Sequence, residues 1–226
     1  MASTCLTRTI AGITVPDTLL ISAALSYAKE HNDPMSFNHV YRSWLFGCII
    51  APKVPAFKNV DLEVHAVAAI LHDLAWDYRS PLASQDKRFE VDSANAARDF
   101  LAAKDAEFDE RQTQLVWDSI ALHSTPSIAQ YKESEVALCC LGITGDLLGP
   151  GLPGGLITKE EYNAVVAELP TLDLKEGIKN LLCGLCVHKP ETTYDNFVRD
   201  FGEKYVQGYE VQGRLPVDFL MGPIQS

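Results

Sequence analysis

Apolar residues recur at intervals of three and four along most of the chain, which is the period of amphipathic helices. No region shows the alternating, β-branched pattern that is typical of strands bounded by turns. The pattern therefore predicts an all-α fold, a compact bundle without repeats. Helices are predicted over residues 16–31, 36–51, 61–76, 88–103, 110–124, 133–149, 158–168, 174–189 and 193–209.

Several predicted helices open with residues that favour a helix N-terminus. Pro16 is expected in the first turn of the first helix, where proline is tolerated. Ser36 and Asp61 are the predicted N-caps of the second and third helices. Thr158 and Glu161 have the spacing of a capping box. These signals support the helical interpretation of the segments that they begin.

Length and composition predict one soluble globular domain over residues 1–226. A chain of 226 residues with 47% apolar and 22% charged residues can bury most of its apolar surface in one core. The formal net charge of -11 argues against nucleic acid or an anionic membrane as a partner, because binding to phosphates requires excess Lys and Arg. A homodimer is the general expectation for such a chain.

The expected location is the cytoplasm. The start of the chain has no apolar core of the length that a secretory signal needs, and no stretch approaches the roughly 18 apolar residues of a membrane-spanning helix. The chain has six cysteines. Five of them lie in apolar, helix-like runs, the usual setting of buried free thiols: Cys48, Cys139, Cys140, Cys183 and Cys186.

The segment AILHDLAWD, residues 69–77, places a histidine and an aspartate side by side in an otherwise apolar run. Burying either group without a partner costs several kcal/mol, so a metal ion or a core ion pair must satisfy them. His39 and Asp146 lie in two other apolar segments. Together with His72 and Asp73 they supply the nitrogen and oxygen ligands that Zn²⁺ or Fe²⁺ accepts.

The order of these residues, on an all-helical chain, resembles the HD-domain metallohydrolase superfamily. The flanking segments FNHVYRSWLFG, DLEVHAVAAILHDLAWD, RFEVDSANAARDFL and ALHS resemble its fungal cyanamide hydratase-like branch. The resemblance covers about residues 15–205. It implies an HD-domain helical bundle in which His39, His72, Asp73 and Asp146 hold one divalent metal. Zn²⁺ is the expected ion and Fe²⁺ the alternative.

The expected number of metal ions follows from the small number of further histidines in the chain. Dinuclear HD enzymes draw additional histidines from the region between the HD pair and the last aspartate. Here only His123 lies between Asp73 and Asp146. A mononuclear site is therefore expected.

Two classes of electrophile are compatible with such a site: a phosphoryl group, and a small carbon centre such as the cyano carbon of cyanamide. Phosphoryl transfer needs cationic groups around the phosphate oxygens. Many HD phosphohydrolases carry a lysine in the pattern HDxGK, whereas Trp76 occupies that position here. Lys87, Arg88 and Arg42 are the possible cationic substitutes. The tryptophan favours a small uncharged substrate, and a phosphohydrolase of nucleotides or phosphomonoesters is the alternative.

Hydration of a cyano carbon also requires a group that moves a proton to nitrogen. Glu90 and His123 are the candidates, and Asp73 is assigned to the catalytic set as well as to the metal. Three residues are predicted to form the substrate pocket: Trp76, Asn95 and Arg42. The prediction is a metal-dependent hydro-lyase that hydrates cyanamide or a related nitrile- or isocyanide-like compound. A helical scaffold with a purely structural metal is the non-enzymatic alternative.

Overall fold

The described part of the chain, residues 6–104 and 106–222 of a computed structural model, is built from helices around a buried second helix. The predicted all-α fold is confirmed. Among the described residues, no helix combines the length and the apolar character needed to cross a lipid bilayer. The predicted domain 1–226 includes terminal residues that lie outside the described ranges. The helices are α1 (Leu19–His31), α2 (Pro34–Ile50), α3 (Leu62–Leu71), α4 (Phe89–Ala103), α5 (Glu110–Leu122), α6 (Pro126–Ala129), α7 (Ser134–Leu148), α8 (Lys159–Glu168), α9 (Leu174–His188), α10 (Val198–Tyr205) and α11 (Pro216–Leu220).

A short antiparallel hairpin precedes the first helix, where the sequence predicted no strand. Its strands are β1 (Thr7–Ile10) and β2 (Ile13–Pro16). The connecting residues Ala11 and Gly12 have φ values of 50° and 79°, the left-handed conformation that two-residue hairpin turns require. The prediction of a helix from residue 16 was therefore wrong at its start. Strands of four residues are too short to show a clear alternating pattern.

The helix starts agree with the predicted caps at two of three positions. Asp61 caps α3 by accepting hydrogen bonds from two backbone N–H groups. Thr158 and Glu161 form the predicted capping box of α8. The cap of α2 is Asp33, whose carboxylate accepts a hydrogen bond from the backbone N–H of Ser36 at 2.9 Å. The prediction of Ser36 as the cap was therefore wrong by three residues.

Helix α2 packs between α3 and α7, and two glycines allow the close approach. A Cβ atom at Gly142 on α7 would lie 2.5 Å from the backbone oxygen of Ser43 on α2. A Cβ atom at Gly47 on α2 would lie 2.0 Å from the imidazole of His65 on α3. Neither position has room for a side chain, so these contacts fix the spacing of the three helices. Polar side chains on facing helices are consequently brought within reach of one another.

Replacing Gly142 by alanine is expected to lower the free energy of unfolding by about 1 to 2 kcal/mol. The added methyl group overpacks the contact with α2, and the gain in helix propensity offsets only part of that cost. Gly151→Ala is the matched control, because no heavy atom lies within 4 Å of a Cβ atom there. Urea unfolding of both variants measures the difference. Equal midpoints would contradict the proposed close packing.

His65 makes the fold sensitive to acid, because it is fully buried on α3. Burial lowers its pKa from the ordinary value of 6.5 to about 4, although a hydrogen bond to the Trp44 carbonyl partly opposes this effect. Below pH 6.5 the unfolded chain takes up a proton that the folded protein excludes. The protein is therefore expected to lose about 3 kcal/mol of stability between pH 7 and pH 4 through this group.

Urea unfolding as a function of pH tests the assignment, with a chelator present so that metal release does not contribute. His65→Gln removes the titrating group while keeping a polar side chain near the Trp44 carbonyl. The variant is expected to show a shallower dependence of stability on pH than the wild type. Parallel curves for the two proteins would show that folding does not lower the pKa of His65.

Two buried clusters of apolar residues fill the interior. The larger joins α1 to α5 with α7. The smaller lies between α9, α10 and the segment leading into α4, and includes Trp76, Phe89 and Leu182. The polar side chains singled out by the sequence lie where these two clusters meet. A cavity at this boundary has apolar walls on both sides.

Candidate metal centre

The adjacent His72 and Asp73 lie in a turn that follows α3, not inside the helix predicted over 61–76. Helix α3 ends at Leu71, and His72 is its C-cap residue. The hydroxyl of Ser93 on α4 accepts a hydrogen bond from the backbone N–H of Ala75 at 3.0 Å, which holds the turn in place. The pair is therefore presented at the end of a helix, beside α2 and the end of α5.

Three imidazoles around this turn share one orientation. In each, Nδ1 is within hydrogen-bond distance of an oxygen that only accepts, so Nδ1 carries the proton in the neutral ring. Each Nε2 then holds a lone pair that is free to bind a cation. The three pairs are His39 with Asp146 Oδ2 at 2.7 Å, His72 with the Ala69 carbonyl at 2.8 Å, and His123 with the Ile120 carbonyl at 2.7 Å.

Asp73 lies at the point where these Nε2 atoms converge. Its Oδ2 is 3.0 Å from Nε2 of His72 and 3.6 Å from Nε2 of His39. Ligand atoms of His39, His72 and Asp73 lie within 4.8 Å of one another, and all three residues are buried. Within residues 6–104 and 106–222, no other group of His, Cys, Asp and Glu side chains meets this criterion. Nε2 of His123 lies 3.7 Å from the other oxygen, Oδ1.

The donor set fits a divalent metal because two of its atoms are otherwise unsatisfied. Nε2 of His72 and Oδ1 of Asp73 are buried without a hydrogen-bond partner. A buried polar atom in that condition costs about 1 to 3 kcal/mol. A bound cation would remove the cost at both atoms. Two imidazole nitrogens and a carboxylate are ligands that Zn²⁺ and Fe²⁺ both accept.

Asp146 on α7 lies beside this cluster, and its direct binding of the metal stays a prediction. Its Oδ1 accepts a hydrogen bond from Nε of Arg42 at 2.6 Å. Its Oδ2 accepts hydrogen bonds from Nη2 of Arg42 at 2.8 Å and from Nδ1 of His39 at 2.7 Å. Both oxygens accept hydrogen bonds, and Asp146 orients the imidazole of His39. Such partners of metal-binding histidines raise ligand basicity and fix the ring.

Arg42 was predicted to line the substrate pocket, but the structure places it elsewhere. Its side chain is 0% exposed. Apart from the two bonds to Asp146, its Nη1 donates to the backbone oxygens of Leu169 and Pro170 at 3.1 and 2.9 Å. The guanidinium thus joins α2, α7 and the end of α8. The positive charge of Arg42 is therefore compensated by partners inside the protein.

The electrostatics favour an anionic carboxylate at Asp73. Burial raises the pKa of Asp73, but the imidazoles of His72, His123 and His39 outweigh it and the net shift is downward. Burial, reinforced by His72, lowers the pKa of His123 to about 4. At neutral pH His123 therefore has a free lone pair on Nε2. It stays a candidate for proton transfer.

A cavity of about 250 Å³ opens beside the cluster. Pockets for drug-sized ligands hold about 300 to 1,000 Å³, so this one suits a smaller molecule. No lysine or arginine is found among the described residues that line it. Most of its wall is apolar: Trp76, Phe89, Ile143, Ile178, Leu182 and Phe197.

The other predicted pocket and catalytic residues differ in their placement. Trp76 lines the cavity, with its indole stacked on the His39 ring at 5.6 Å between centroids. Asn95 does not line it, because its Oδ1 accepts a hydrogen bond from the indole N–H of Trp117 at 3.0 Å. Glu90 is 1% exposed and lies behind the wall, where Oε1 accepts a hydrogen bond from the hydroxyl of Ser124 at 2.5 Å.

Sequence reasoning missed Ser124 and the walls contributed by α9 and by Phe197. Ser124 follows His123 directly, but a serine after a helix end carries no special signal. Ile178, Leu182 and Phe197 reach the cavity from more than 50 residues beyond His123, and in the sequence they have the spacing of ordinary core positions. Only tertiary packing shows that they face the metal cluster.

A larger surface cleft, of about 830 Å³, lies between the segment before α4 and residues 191–219. Its two arginines are already paired, Arg88 with Glu90 and Arg214 with Glu191. It lacks the converging buried ligands of the smaller cavity. The chemistry therefore belongs to the 250 Å³ cavity, despite the greater volume of the cleft.

Comparison with family models places this geometry in a known context. The model of the HD domain matches residues 36–161, more than half of the chain. The chain belongs to the HD domain family. Its members are generally metal-dependent hydrolases that bind divalent metals, and the convergence of His39, His72 and Asp73 agrees with that chemistry. No curated protein matches the chain in sequence.

The HD domain match separates the shared part of the site from the part that is particular to this chain. The matched segment contains the candidate metal ligands His39, His72 and Asp73, and also Asp146 and His123. Helix α9, which supplies Ile178 and Leu182 to the cavity wall, and Phe197, which precedes α10, lie after it. The HD domain match therefore contains the candidate metal ligands, and residues that follow it complete the cavity wall.

Proposed function

We propose that this HD domain protein is a mononuclear, metal-dependent hydratase of the cyanamide hydratase-like branch. It adds water to cyanamide or to a related small nitrile- or isocyanide-like compound. The observation that carries the proposal is the small cavity, which has a mostly apolar wall and no lysine or arginine among its described lining residues. A phosphate ester would lack a cationic partner in such a space.

The possible cationic substitutes named from the sequence support this choice by their positions. Arg42 is buried against Asp146. Arg88 pairs with Glu90 outside the cavity, and the ammonium of Lys87 pairs with Asp86 at the surface. None of the three lines the 250 Å³ cavity. A phosphohydrolase, the alternative from sequence, would need at least one of them to move.

Three residues would hold the metal: His39 and His72 through Nε2, and Asp73 through its carboxylate. Zn²⁺ is the proposed ion, with Fe²⁺ as the alternative, since both accept nitrogen and oxygen ligands. When bound, such an ion supplies Lewis-acid activation of water near neutral pH. Asp146 keeps the His39 ring in the ligating orientation. The five described cysteines are free thiols, which supports a reducing, cytoplasmic location.

His123 is the proposed proton carrier of the reaction. The Ile120 carbonyl holds the proton of the resting imidazole at Nδ1, so Nε2 is the atom that accepts one. During hydration the water oxygen bonds to the cyano carbon and gives a proton to Nε2. The electron pair of the broken π bond moves to the cyano nitrogen, which takes that proton from His123. Tautomerisation of the resulting isourea gives urea when the substrate is cyanamide.

Metal analysis combined with a substrate panel tests the proposal. The purified protein is expected to contain about one equivalent of metal and to form urea from cyanamide. The protein stripped with a chelator serves as the control and should be inactive until the metal is restored. Turnover of nucleotides or phosphomonoesters, with none of cyano compounds, would replace the hydratase by the phosphohydrolase alternative. Metal-dependent stability without any turnover would favour the structural scaffold.

A further inference from the structure

The hydroxyl of Ser124 lies between the cavity and a partly buried ion pair of Glu90 with Arg88. Ser124 lines the cavity, and its Oγ donates a hydrogen bond to Oε1 of Glu90 at 2.5 Å. The same Oε1 accepts a hydrogen bond from Nη2 of Arg88 at 2.6 Å. A carboxylate paired with a guanidinium only accepts hydrogen bonds. The single hydrogen of the Ser124 hydroxyl is therefore committed to Glu90, and its lone pairs remain for the cavity.

Thr144, on another wall of the cavity, likewise has a hydroxyl oxygen that can only accept a hydrogen bond from a ligand. Its Oγ1 donates to the backbone oxygen of Cys140 at 2.7 Å, which again uses the only hydroxyl hydrogen. The remaining side-chain N–H groups of the lining are also engaged. The indole of Trp76 donates to the Ser36 hydroxyl at 3.2 Å, and Nδ1 of His123 is held by the Ile120 carbonyl. Among the described residues that line the cavity, the polar side-chain atoms left free for a ligand are thus hydrogen-bond acceptors.

We propose that Ser124 is a specificity-determining residue that accepts a hydrogen bond from an N–H group of the substrate. The substrate class is then narrower than nitriles in general: cyano compounds whose cyano carbon carries an N–H-bearing nitrogen. This inference rests on the proposed hydratase function. A plain nitrile of equal size would leave the lone pairs of Ser124 without a donor, and sites built around a hydrogen bond reject ligands that lack it.

Two pairs of ligands matched in size test the proposal: cyanamide with acetonitrile, and methylcyanamide with propionitrile. Calorimetry on the metal-loaded protein gives the dissociation constants, and turnover is measured separately. The wild type is expected to bind the N–H member of each pair about tenfold more tightly. Ser124→Ala should reduce that ratio towards one, whereas Ser124→Thr, which keeps the hydroxyl, should retain it.

Ser119→Ala is the matched control, because Ser119 is a buried serine on α5 that does not line the cavity. It should leave the ratio unchanged. If Ser124→Ala does not fold, Thr144→Val removes the second acceptor and should reduce the same ratio. A ratio that survives these changes, the absence of any preference in the wild type, or no binding of either ligand overturns the proposal. A preference for N–H ligands without turnover supports Ser124 as acceptor and overturns the hydratase function instead.

Discussion

Replacing His72 by alanine is expected to abolish metal binding and to lower catalytic activity by more than about 100-fold. His72 is fully buried, and the carbonyl of Ala69 fixes its ring so that Nε2 points to Asp73 Oδ2 at 3.0 Å. Alanine removes one of the three converging ligand atoms, and Nε2 of His123 lies closer to the other carboxylate oxygen of Asp73, at 3.7 Å from Oδ1. The metal content of the purified variant, measured by elemental analysis, should fall from about one equivalent to nearly zero.

Thermal unfolding gives a second measurement that does not depend on the substrate. A ligand that binds only the folded state stabilises it by about 3 kcal/mol at one hundred times its dissociation constant. A chelator should therefore lower the unfolding temperature of the wild type and leave that of His72→Ala unchanged. His65→Ala is the matched control: a buried histidine inside α3 that does not belong to the cluster. It should lose stability but keep its metal. A His72→Ala protein with full metal content would disprove the assignment.

The sequence was sufficient for the metal chemistry because the residues concerned are chemically conspicuous. An imidazole and a carboxylate in an apolar run, as in residues 69–77, require a partner wherever they are buried. A further candidate ligand, His39, lies in a second apolar helix, and this favoured a metal ion over a core ion pair. The helices themselves were predictable because their apolar faces repeat over ten or more residues. The hairpin was missed, since four-residue strands are shorter than the window in which an alternating pattern can be distinguished.

The role of Asp146 could not be predicted, because a sequence does not show what an aspartate contacts. Its assignment as a ligand depended on its order in the chain. In the structure, Arg42 lies one turn after His39 on α2 and donates two hydrogen bonds to the Asp146 carboxylate. Likewise, Asn95 is satisfied by Trp117 and cannot turn to the cavity without losing that bond. For both Asp146 and Asn95, a hydrogen-bond partner on another helix fixes the position of the side chain.

The division of the site between two parts of the chain has a chemical consequence. The HD domain match contains the cluster, His123 and much of the cavity wall, whereas α9 and Phe197 add apolar walls beyond it. An apolar wall strengthens electrostatic interactions in the cavity and disfavours charged substrates. The candidate metal ligands and these added walls thus come from different segments. Substitutions at Leu182 or Phe197 should change the choice of substrate more than metal affinity.

Arg42→Met is expected to lower the free energy of unfolding by about 3 to 5 kcal/mol, because it leaves the buried carboxylate of Asp146 without its counter-ion. The substitution also removes the donors to the backbone oxygens of Leu169 and Pro170. Urea unfolding in the presence of a chelator measures the loss independently of the metal. Arg79→Met is the matched control, since Arg79 pairs with Asp77 at the surface. Its effect should stay within about 0.5 kcal/mol.

The combination with Asp146→Asn separates the two possible roles of Asp146. In the Arg42→Met background, Asp146→Asn removes the unpaired charge and should recover part of the lost stability. In the wild-type background, the asparagine oxygen can still accept the hydrogen bond from Nδ1 of His39. Metal affinity should then fall only about 10- to 100-fold, the usual cost of losing an orienting partner. A loss as complete as in His72→Ala would show instead that Asp146 binds the metal directly, with Arg42 displaced from it.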